Sequence, residues 1–173
     1  SELVEAKALY WAAKMKEQGA NIRYINIGGG LGITYSDEAP PRPQQLADAV
    51  SPLVRDLKCV LIMEPGRVIV GNAGILLTRV LYTKEGDGRH FVIVDAGMND
   101  LIRPSLYQAY HEIRPVTRRV RRRRLTVDVV GPVCESGDFL GKDRQLEASR
   151  PGDLLAVMSA GAYGSTMSSN YNC

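Results

Sequence analysis

Two short apolar segments constrain the fold of this chain most. Each follows a helical pattern and leads directly into a turn that contains glycine. Residues 23–27 run into three consecutive glycines at 28–30, and residues 59–63 run into the turn Glu-Pro-Gly-Arg at 64–67. The second segment, CVLIM, is continuously apolar, as strands of parallel sheets are when both of their faces are covered. The order helix, strand, helix, strand predicts an α/β architecture for this part of the chain.

Helical patterns precede both predicted strands. Apolar residues spaced by three and four predict an amphipathic helix over residues 2–18, with Gly19 at its C-terminal end, and the same spacing recurs between residues 46 and 57. We expect each helix to bury its apolar face. In the first helix that face comprises Val4, Ala8, Trp11, Ala12 and Met15.

After Gly74 the pattern changes from helical to β. A turn of sequence Glu-Gly-Asp-Gly at 85–88 separates two strand-like segments and is typical of a β-hairpin. Polar loops, rather than helices, separate the strands that follow. We therefore predict two domains, residues 1–72 and residues 73–173. The predicted strands of the second domain are 75–83, 89–94, 125–130 and 153–159.

The positive charge of the chain is concentrated in one segment. The formal net charge is +3, and residues 118–124 contain six arginines. This run contains no aromatic residue and lies between strand-like segments, so we interpret it as a solvated loop, with an anion or partner site as the alternative. We expect no nucleic-acid partner.

The cysteines and the hydropathy favour an intracellular protein. Cys59, Cys134 and Cys173 form no CxxC pair and have no zinc-type spacing with His90 or His111. This pattern predicts a reducing compartment and no metal site. No apolar run has the length of a membrane span, and no signal peptide begins the chain. We expect no membrane association and a cytoplasmic location, or the plastid stroma if the source is a plant.

The two glycine-containing turns together favour an anion site. In α/β barrels the C-terminal ends of the strands carry the ligands, and late strands often form a phosphate site. Glycines let peptide N–H groups point at phosphate oxygens, and Arg67 would add charge-assisted hydrogen bonds. A glycine triplet alone is equally compatible with a tight turn. The carboxylate of Glu64 would repel an anion unless the ligand is positive at its far end, as the protonated ring of pyridoxal phosphate is.

Five motifs together resemble the diaminopimelate decarboxylase family, which belongs to the barrel-type, pyridoxal-phosphate-dependent basic amino-acid decarboxylases. They cover nearly the whole chain, in order. They are NIGGGLGI at 26–33, EPGR at 64–67, VDAGMNDLIRPSLY at 94–107, GPVCESGDF at 131–139 and AGAYGSTMSSNYN at 160–172.

The resemblance implies a fold and an assembly. Residues 1–72 would be the last βα units of a TIM barrel that binds pyridoxal phosphate, and residues 73–173 a β-rich domain, a barrel or sandwich. The chain would be truncated at both ends and would act in a homodimer with the active site at the interface. The family's Schiff-base lysine would precede residue 1, because the lysines present match no such motif, so this chain alone would be inactive.

The resemblance also implies residues that bind the cofactor, pyridoxal 5'-phosphate. Its phosphate would be held by glycines of both turns and by Arg67, with Gly30 as the direct backbone donor. Glu64 would face the pyridinium nitrogen, and Tyr163 would lie against cofactor and substrate. The glycines are Gly28, Gly29, Gly30 and Gly66.

The resemblance implies roles for further residues in binding and converting the substrate. Arg67, Arg103 and Tyr107, with Tyr163, would contact the substrate, chiefly its distal carboxylate. Cys134 would protonate the carbanion left when CO2 departs. Glu135 would bind the distal ammonium, and in this family both residues reach into the neighbouring subunit's site.

The charges of these residues favour meso-diaminopimelate as the substrate, with lysine as the product. A substrate whose far end is itself an amino acid needs a cation and an anion in the pocket, and Arg103 and Glu135 supply both. Relatives acting on ornithine carry Cys-Asp in place of Cys134-Glu135. Two alternatives stay open: a decarboxylase of this fold acting on ornithine, arginine or a carboxylated polyamine, and an inactive chain that binds a decarboxylase partner.

Each residue also has a purely structural interpretation. Cys134, taken alone, would more often be a small buried apolar side chain. Arg103, directly before Pro104, would be part of a surface turn, and the tyrosines would be half-buried. We assign no role to His90 or His111.

Overall fold

The computed structural model describes residues 2–117 and 122–172, without the side chains of residues 2–6. It divides into two compact units, Ser1–Thr34 with Ala39–Ile69, and Tyr35–Glu38 with Val70–Cys173. The boundary expected between residues 72 and 73 stays a prediction.

The first unit consists of two parallel strands and the helices that precede them. Strands β1 and β2 pair in register, with Ile25 opposite Leu61. Proline at the first position of α2 suits a helix start, because its missing N–H would have no partner there. The elements are α1 (Glu2–Glu17), β1 (Tyr24–Asn26), α2 (Pro43–Leu57) and β2 (Val60–Ile62), and α3 (Gly66–Val70) follows.

The core of the first unit lies between the strands and the two long helices, but it differs from the predicted one. Leu9 and Ala12 form the buried face of α1, whereas Trp11 is 58% exposed, so the predicted face is wrong in part. The predicted burial of both faces of the second strand is also wrong, since Val60 is 56% exposed. In this unit the helices cover the Ile25 face of the pair of strands, and Val60 points to the other.

The second unit is a six-stranded mixed sheet with the strand order β5-β8-β3-β4-β6-β7. The pairing of β4 with β6 is parallel and the other pairings are antiparallel. The end strands β5 and β7 lie next to each other without pairing, so the sheet is nearly closed. The elements are β3 (Leu76–Gly86), β4 (Arg89–Val94), α4 (Arg103–Tyr107), β5 (Ile113–Pro115), β6 (Arg124–Val130), β7 (Phe139–Glu147) and β8 (Leu154–Val157), with one-turn 3-10 helices at Gly71–Ala73 and Ser165–Met167.

The predicted hairpin is confirmed, because β3 and β4 pair antiparallel across a tight turn. Asp87 and Gly88 both have positive φ, 52° and 74°, as the turn type that matches strand twist requires. The strands enclose one apolar core. Its fully buried members include Val80, Val94, Leu101, Val129, Leu140, Leu155 and Val157.

The arginine run falls partly outside the described residues, which omit 118–121. At Arg122 the expected solvated loop is wrong. The Arg122 side chain is only 15% exposed, ion-pairs with Asp153 and donates a hydrogen bond of 3.0 Å to the carbonyl of Ala148. Arg124 begins β6.

Candidate functional site

The two glycine-containing turns of the first unit are hydrogen-bonded to each other. The Ile27 N–H donates to the Ile62 carbonyl at 3.1 Å, and beyond the strand ends the Glu64 N–H donates to the Gly28 carbonyl at 2.8 Å. The parallel ladder therefore continues past β1 and β2 into the turns. This continuation fixes the two turns relative to each other at the C-terminal ends of the strands, where α/β folds bind ligands.

The glycine triplet has a conformation and a packing that side chains would disturb. Gly28 and Gly30 have positive φ, 71° and 83°. A Cβ on Gly29 would lie 2.6 Å from the carbonyl oxygen of Glu64, and backbone cannot yield cheaply. A Cβ on Gly28 or Gly66 would meet no atom within 4 Å, so open space adjoins both residues.

Two amides of the triplet are available to an anion. Within the described part of the chain, the N–H groups of Gly29 and Gly30 have no protein partner. The Gly28 N–H, in contrast, donates to Asn26 Oδ1 at 2.7 Å, and the Gly66 N–H donates to the Glu64 carbonyl at 2.8 Å. Gly28 and Gly66 therefore leave open space for a ligand, whereas Gly29 and Gly30 offer it N–H donors.

Asn26, which the sequence reasoning did not single out, ties the Glu64 carboxylate to the triplet. Its Nδ2 donates to Glu64 Oε1 at 2.5 Å while its Oδ1 accepts the Gly28 N–H. Glu64 is exposed, and Arg67 lies half-buried at the start of α3. An exposed carboxylate near two free amide donors fits a ligand that is anionic at one end and cationic at the other, and pyridoxal phosphate has both features.

In the second unit, the loop between β6 and β7 presents Cys134 and Glu135 to the surface. Both are exposed, so the interpretation of Cys134 as a buried structural residue is wrong. The carboxylate of Asp138, which is 5% exposed, accepts the N–H groups of Met98 at 2.7 Å and Val133 at 2.6 Å. A buried carboxylate that accepts two peptide N–H groups is a strong anchor, so Asp138 fixes the loop that carries the pair.

Glycine at position 131 makes room for this anchor. A Cβ on Gly131 would lie 2.5 Å from Asp138 Oδ1 and 2.6 Å from the Cα of Gly97. The backbone of the loop is also hydrogen-bonded to the backbone of Asp138, because the Gly131 N–H donates to the Asp138 carbonyl at 3.2 Å. The Asp138 N–H in turn donates to the Glu135 carbonyl at 3.0 Å. The sequence analysis included Gly131 and Asp138 in the motif GPVCESGDF but assigned neither of them a role.

Tyr171 is the side-chain partner of Glu135. Its hydroxyl donates to Glu135 Oε2 at 3.1 Å, and this hydrogen bond, together with the negative charge of Glu135, raises the pKa of Tyr171. The two side chains border a cleft of about 210 Å³ that Met98, Asn99, Ile102 and Ser169 also line. The carboxylate of Glu135 is thereby held over a mainly apolar recess.

Arg103 is buried, so its interpretation as part of a surface turn is wrong. It begins α4, is 7% exposed, and its Nη1 lies 2.9 Å from Nε2 of His111. Its guanidinium also stacks over the ring of Tyr35, with Cζ 4.8 Å from the ring centre. Sequence reasoning missed both partners.

His111 is completely buried beside Arg103. Its Nδ1 lies 2.9 Å from the carbonyl oxygen of Met158. Burial lowers the pKa of His111, and the charges of Arg103 and Arg144 act in the same direction, against the effect of the Met158 carbonyl. The imidazole is therefore neutral at physiological pH.

The two predicted tyrosines are exposed in the second unit. Tyr107 ends α4, one helical turn beyond Arg103. Tyr163 has a φ of 59° and follows a segment in which Ala160 N–H donates to the Gly74 carbonyl at 2.9 Å. Among the hydrogen bonds of the described residues, none joins Arg103 to Glu135, and each has its own partner.

Within residues 2–117 and 122–172, no helix is long and apolar enough to cross a membrane. The same residues contain no group of three or more His, Cys, Asp or Glu side chains that could hold a metal ion.

Residues 11–161 match the family described as pyridoxal-dependent decarboxylase, C-terminal sheet domain. The diaminopimelate decarboxylase of Aquifex aeolicus is 54% identical over 159 residues, which are 91% of this chain and 38% of that protein. A crystal structure from Aquifex aeolicus matches with a TM-score of 0.91 and 52% identity, over 98% of this chain and 42% of that chain. The structure of Helicobacter pylori diaminopimelate decarboxylase complexed with L-lysine matches with a TM-score of 0.89 and 43% identity, over 97% and 41%.

This chain thus spans about two fifths of the length of the relatives that it matches. The similarities confirm the predicted fold class, in which the end of a barrel is followed by a sheet domain.

Proposed function

Because this chain belongs to the pyridoxal-dependent decarboxylases, we propose that it is the C-terminal part of an enzyme converting meso-2,6-diaminopimelate into L-lysine and CO2. This reaction is the last step of lysine biosynthesis, and its small polar substrate suits a cytoplasmic location. The observation that carries the proposal is the exposed Cys134-Glu135 pair on a loop anchored by buried Asp138. The identity of about half of the residues to diaminopimelate decarboxylases supports the choice of substrate.

Residues of the first unit would hold pyridoxal phosphate. The free N–H groups of Gly29 and Gly30 would donate to the phosphate, and Arg67 would add positive charge. Glu64, oriented by Asn26, would keep the ring nitrogen protonated. When bound, pyridoxal phosphate supplies an electron sink for the electron pair released as CO2 leaves.

Residues of the second unit would recognise the far end of the substrate. Arg103 would bind the distal carboxylate, and Glu135 would bind the distal ammonium. A competing amino acid without the distal carboxylate would leave the buried guanidinium of Arg103 without its anion, and an unpaired buried charge is costly. Tyr107 and Tyr163 would add contacts to substrate and cofactor.

Cys134 would act as the catalytic acid. Its thiol would deliver a proton to the carbon atom from which CO2 has left, so that this carbon becomes the CH2 group that bears the ε-amine of lysine. The loop is fixed by Asp138, so the thiol would be placed without a large ordering cost at the time of reaction.

We also propose that the enzyme is a homodimer in which Cys134 and Glu135 serve the cofactor of the partner subunit. The exposure of both side chains supports this arrangement, because each is open to a second copy of the chain.

A hybrid enzyme tests the reaction. In it, this chain replaces the matching segment of the Aquifex aeolicus diaminopimelate decarboxylase, which supplies the remaining part of the fold. We expect CO2 release from meso-diaminopimelate by the hybrid and a loss of at least about a hundredfold in kcat for Cys134→Ala. Release from ornithine or arginine instead would favour the other decarboxylases, and no release from any of them would favour an inactive chain.

Mixing two inactive hybrids tests the shared site. One carries Cys134→Ala and the other lacks the Schiff-base lysine that the resemblance assigns to the barrel. Random exchange should restore roughly a quarter of the native activity, because half of the dimers are then mixed and contain one complete site. Exchange of subunits without recovery would show that Cys134 acts within its own chain.

A further inference from the structure

We propose that His111 is a positioning residue that holds the guanidinium of Arg103 in the orientation that receives the substrate's distal carboxylate. The inference rests on the proposed function for the identity of that carboxylate. The contact between the two side chains is an observation of the structure and is independent of the substrate.

The partners of His111 determine which of its nitrogens carries the proton. Arg103 has only donors, so Nε2 of His111, 2.9 Å from Nη1, must be the acceptor. The Met158 carbonyl has no proton to give, so Nδ1, 2.9 Å from its oxygen, must carry the proton and donate. His111 is therefore the neutral tautomer with the proton on Nδ1, and the backbone of Met158 fixes its ring.

This bond leaves one edge of Arg103 for a ligand. Nη1 is engaged by His111, whereas Nε and Nη2 have no protein partner within the described residues and are not sealed from solvent. Nε and Nη2 lie on the same side of the guanidinium and form a fork that matches the two oxygens of a carboxylate. By fixing Nη1, His111 sets the direction of this fork.

Among the described residues, the partners recorded for the Arg103 guanidinium are the His111 imidazole and the Tyr35 ring, and neither is an acid that bears a negative charge beside it. His111 accepts from it as a neutral group, and the Tyr35 ring covers one face of the guanidinium. Around His111 itself, Arg103 approaches from α4, Arg144 acts from β7, and the Met158 carbonyl follows β8. A carboxylate in place of the His111 imidazole would neutralise Arg103. The neutral imidazole instead orients the guanidinium and leaves its positive charge for the carboxylate of the substrate.

Two substitutions of His111 separate its two hydrogen bonds. In His111→Gln the amide reaches the Nε2 position and can still accept from Arg103, whereas in His111→Asn the amide reaches the Nδ1 position and can still donate to Met158. In the hybrid enzyme we expect His111→Asn to raise the KM for meso-diaminopimelate about tenfold with little change in kcat, and His111→Gln to raise it less than about threefold. The matched control is His90→Gln, which is not expected to change the KM.

Inhibition by cadaverine distinguishes positioning from a general loss of structure. L-Lysine would not serve, because the carboxylate that it keeps after decarboxylation is the distal one. Cadaverine has an amine at each end and no carboxylate, so its inhibition constant should stay within about twofold in both variants. An unchanged KM in His111→Asn, or a parallel rise in the cadaverine constant, would overturn the inference.

Nitrogen-15 NMR of the imidazole in native protein tests the contact without any substitution. We expect the Nδ1-protonated neutral form, which is the minor tautomer of free histidine, with its proton protected from exchange. Protonation on Nε2 would overturn the inference even if the enzyme is active. If the hybrid without substitutions is inactive but shows the expected tautomer, the proposed function is refuted and the His111–Arg103 contact still holds.

Discussion

Replacing Asp138 by asparagine tests whether this residue anchors the loop that carries Cys134 and Glu135. The substitution keeps the shape of the side chain and removes its charge. One carboxylate oxygen accepts the Met98 N–H at 2.7 Å and the other accepts the Val133 N–H at 2.6 Å. In asparagine one of these oxygens becomes an NH2 group, which would face a peptide N–H, donor against donor.

The magnitude follows from these two contacts. A hydrogen bond to a charged group contributes about 1.5–3 kcal/mol, and the bond that survives becomes a neutral one of roughly half the strength. Because Asp138 is 5% exposed, water cannot readily replace the lost partner. We therefore expect Asp138→Asn to lower the free energy of unfolding by about 3 kcal/mol.

Urea unfolding of the chain, followed by circular dichroism, measures this difference. With an m value of about 2 kcal/mol per molar urea, the midpoint should fall by about 1.5 M. Asp143→Asn is the matched control, since Asp143 is exposed with a φ of 53°, a conformation that asparagine tolerates. A shift of less than about 0.5 M, or one equal to that of the control, would refute the anchoring role.

Three further results are expected. Lowering the pH from about 7.5 to 5 should lower the urea midpoint, because burial lowers the pKa of His111 in the folded protein below its value of about 6.5 in the unfolded chain. The unfolded chain then binds this proton more readily as the pH falls, and His111→Gln should lack this part of the pH dependence. Glu135→Gln should lower the pKa of Tyr171 towards 10, read from phenolate absorbance, and an unchanged titration would disprove the contact. Gly29→Ala should weaken binding of pyridoxal phosphate, measured by absorbance titration of the hybrid, because the new Cβ would lie 2.6 Å from the Glu64 carbonyl; unaltered affinity would show that the turn can move.

Most strands and helices could be predicted because their periodicity is local. The hairpin of β3 and β4 required only the alternation of apolar residues and the Asp87-Gly88 turn. Strand β7 was missed because Leu140 and Leu146 are separated by the polar stretch GKDRQ, in which Asp143 has a positive φ. This strand owes its pairing to β6 more than to its own pattern.

The buried face of α1 shows a different limit. Trp11 and Met15 have the spacing of a core-facing pair, yet both are exposed, while Leu9 and Ala12 pack against the strands. Helical periodicity identifies an amphipathic helix, but α1 has two overlapping rows of apolar residues. Which row is buried depends on the strands and the helix that pack against α1, and these are distant in the sequence.

The candidate site was predictable where its residues form motifs and not where distant contacts define their roles. Cys134 and Glu135 stand together in the sequence, so their resemblance to a known pair was visible. Asn26 acts on a residue 38 positions away, Asp138 on one 40 positions away, and His111 on one 47 positions away. Nothing local distinguishes such residues from ordinary polar ones, because their partners are brought to them by the fold.

The specificity of CO2 release by the hybrid enzyme tests the central claim most directly. Purified hybrid with pyridoxal phosphate is given meso-diaminopimelate, L-lysine and L-ornithine in turn, and kcat/KM is measured for each. The opposite charges of Arg103 and Glu135 predict a preference for meso-diaminopimelate of at least about 10³-fold. Either competitor, bound with its α-amine at the cofactor, would leave the buried Arg103 without its anion. Equal rates, or a preference for ornithine, would contradict the account.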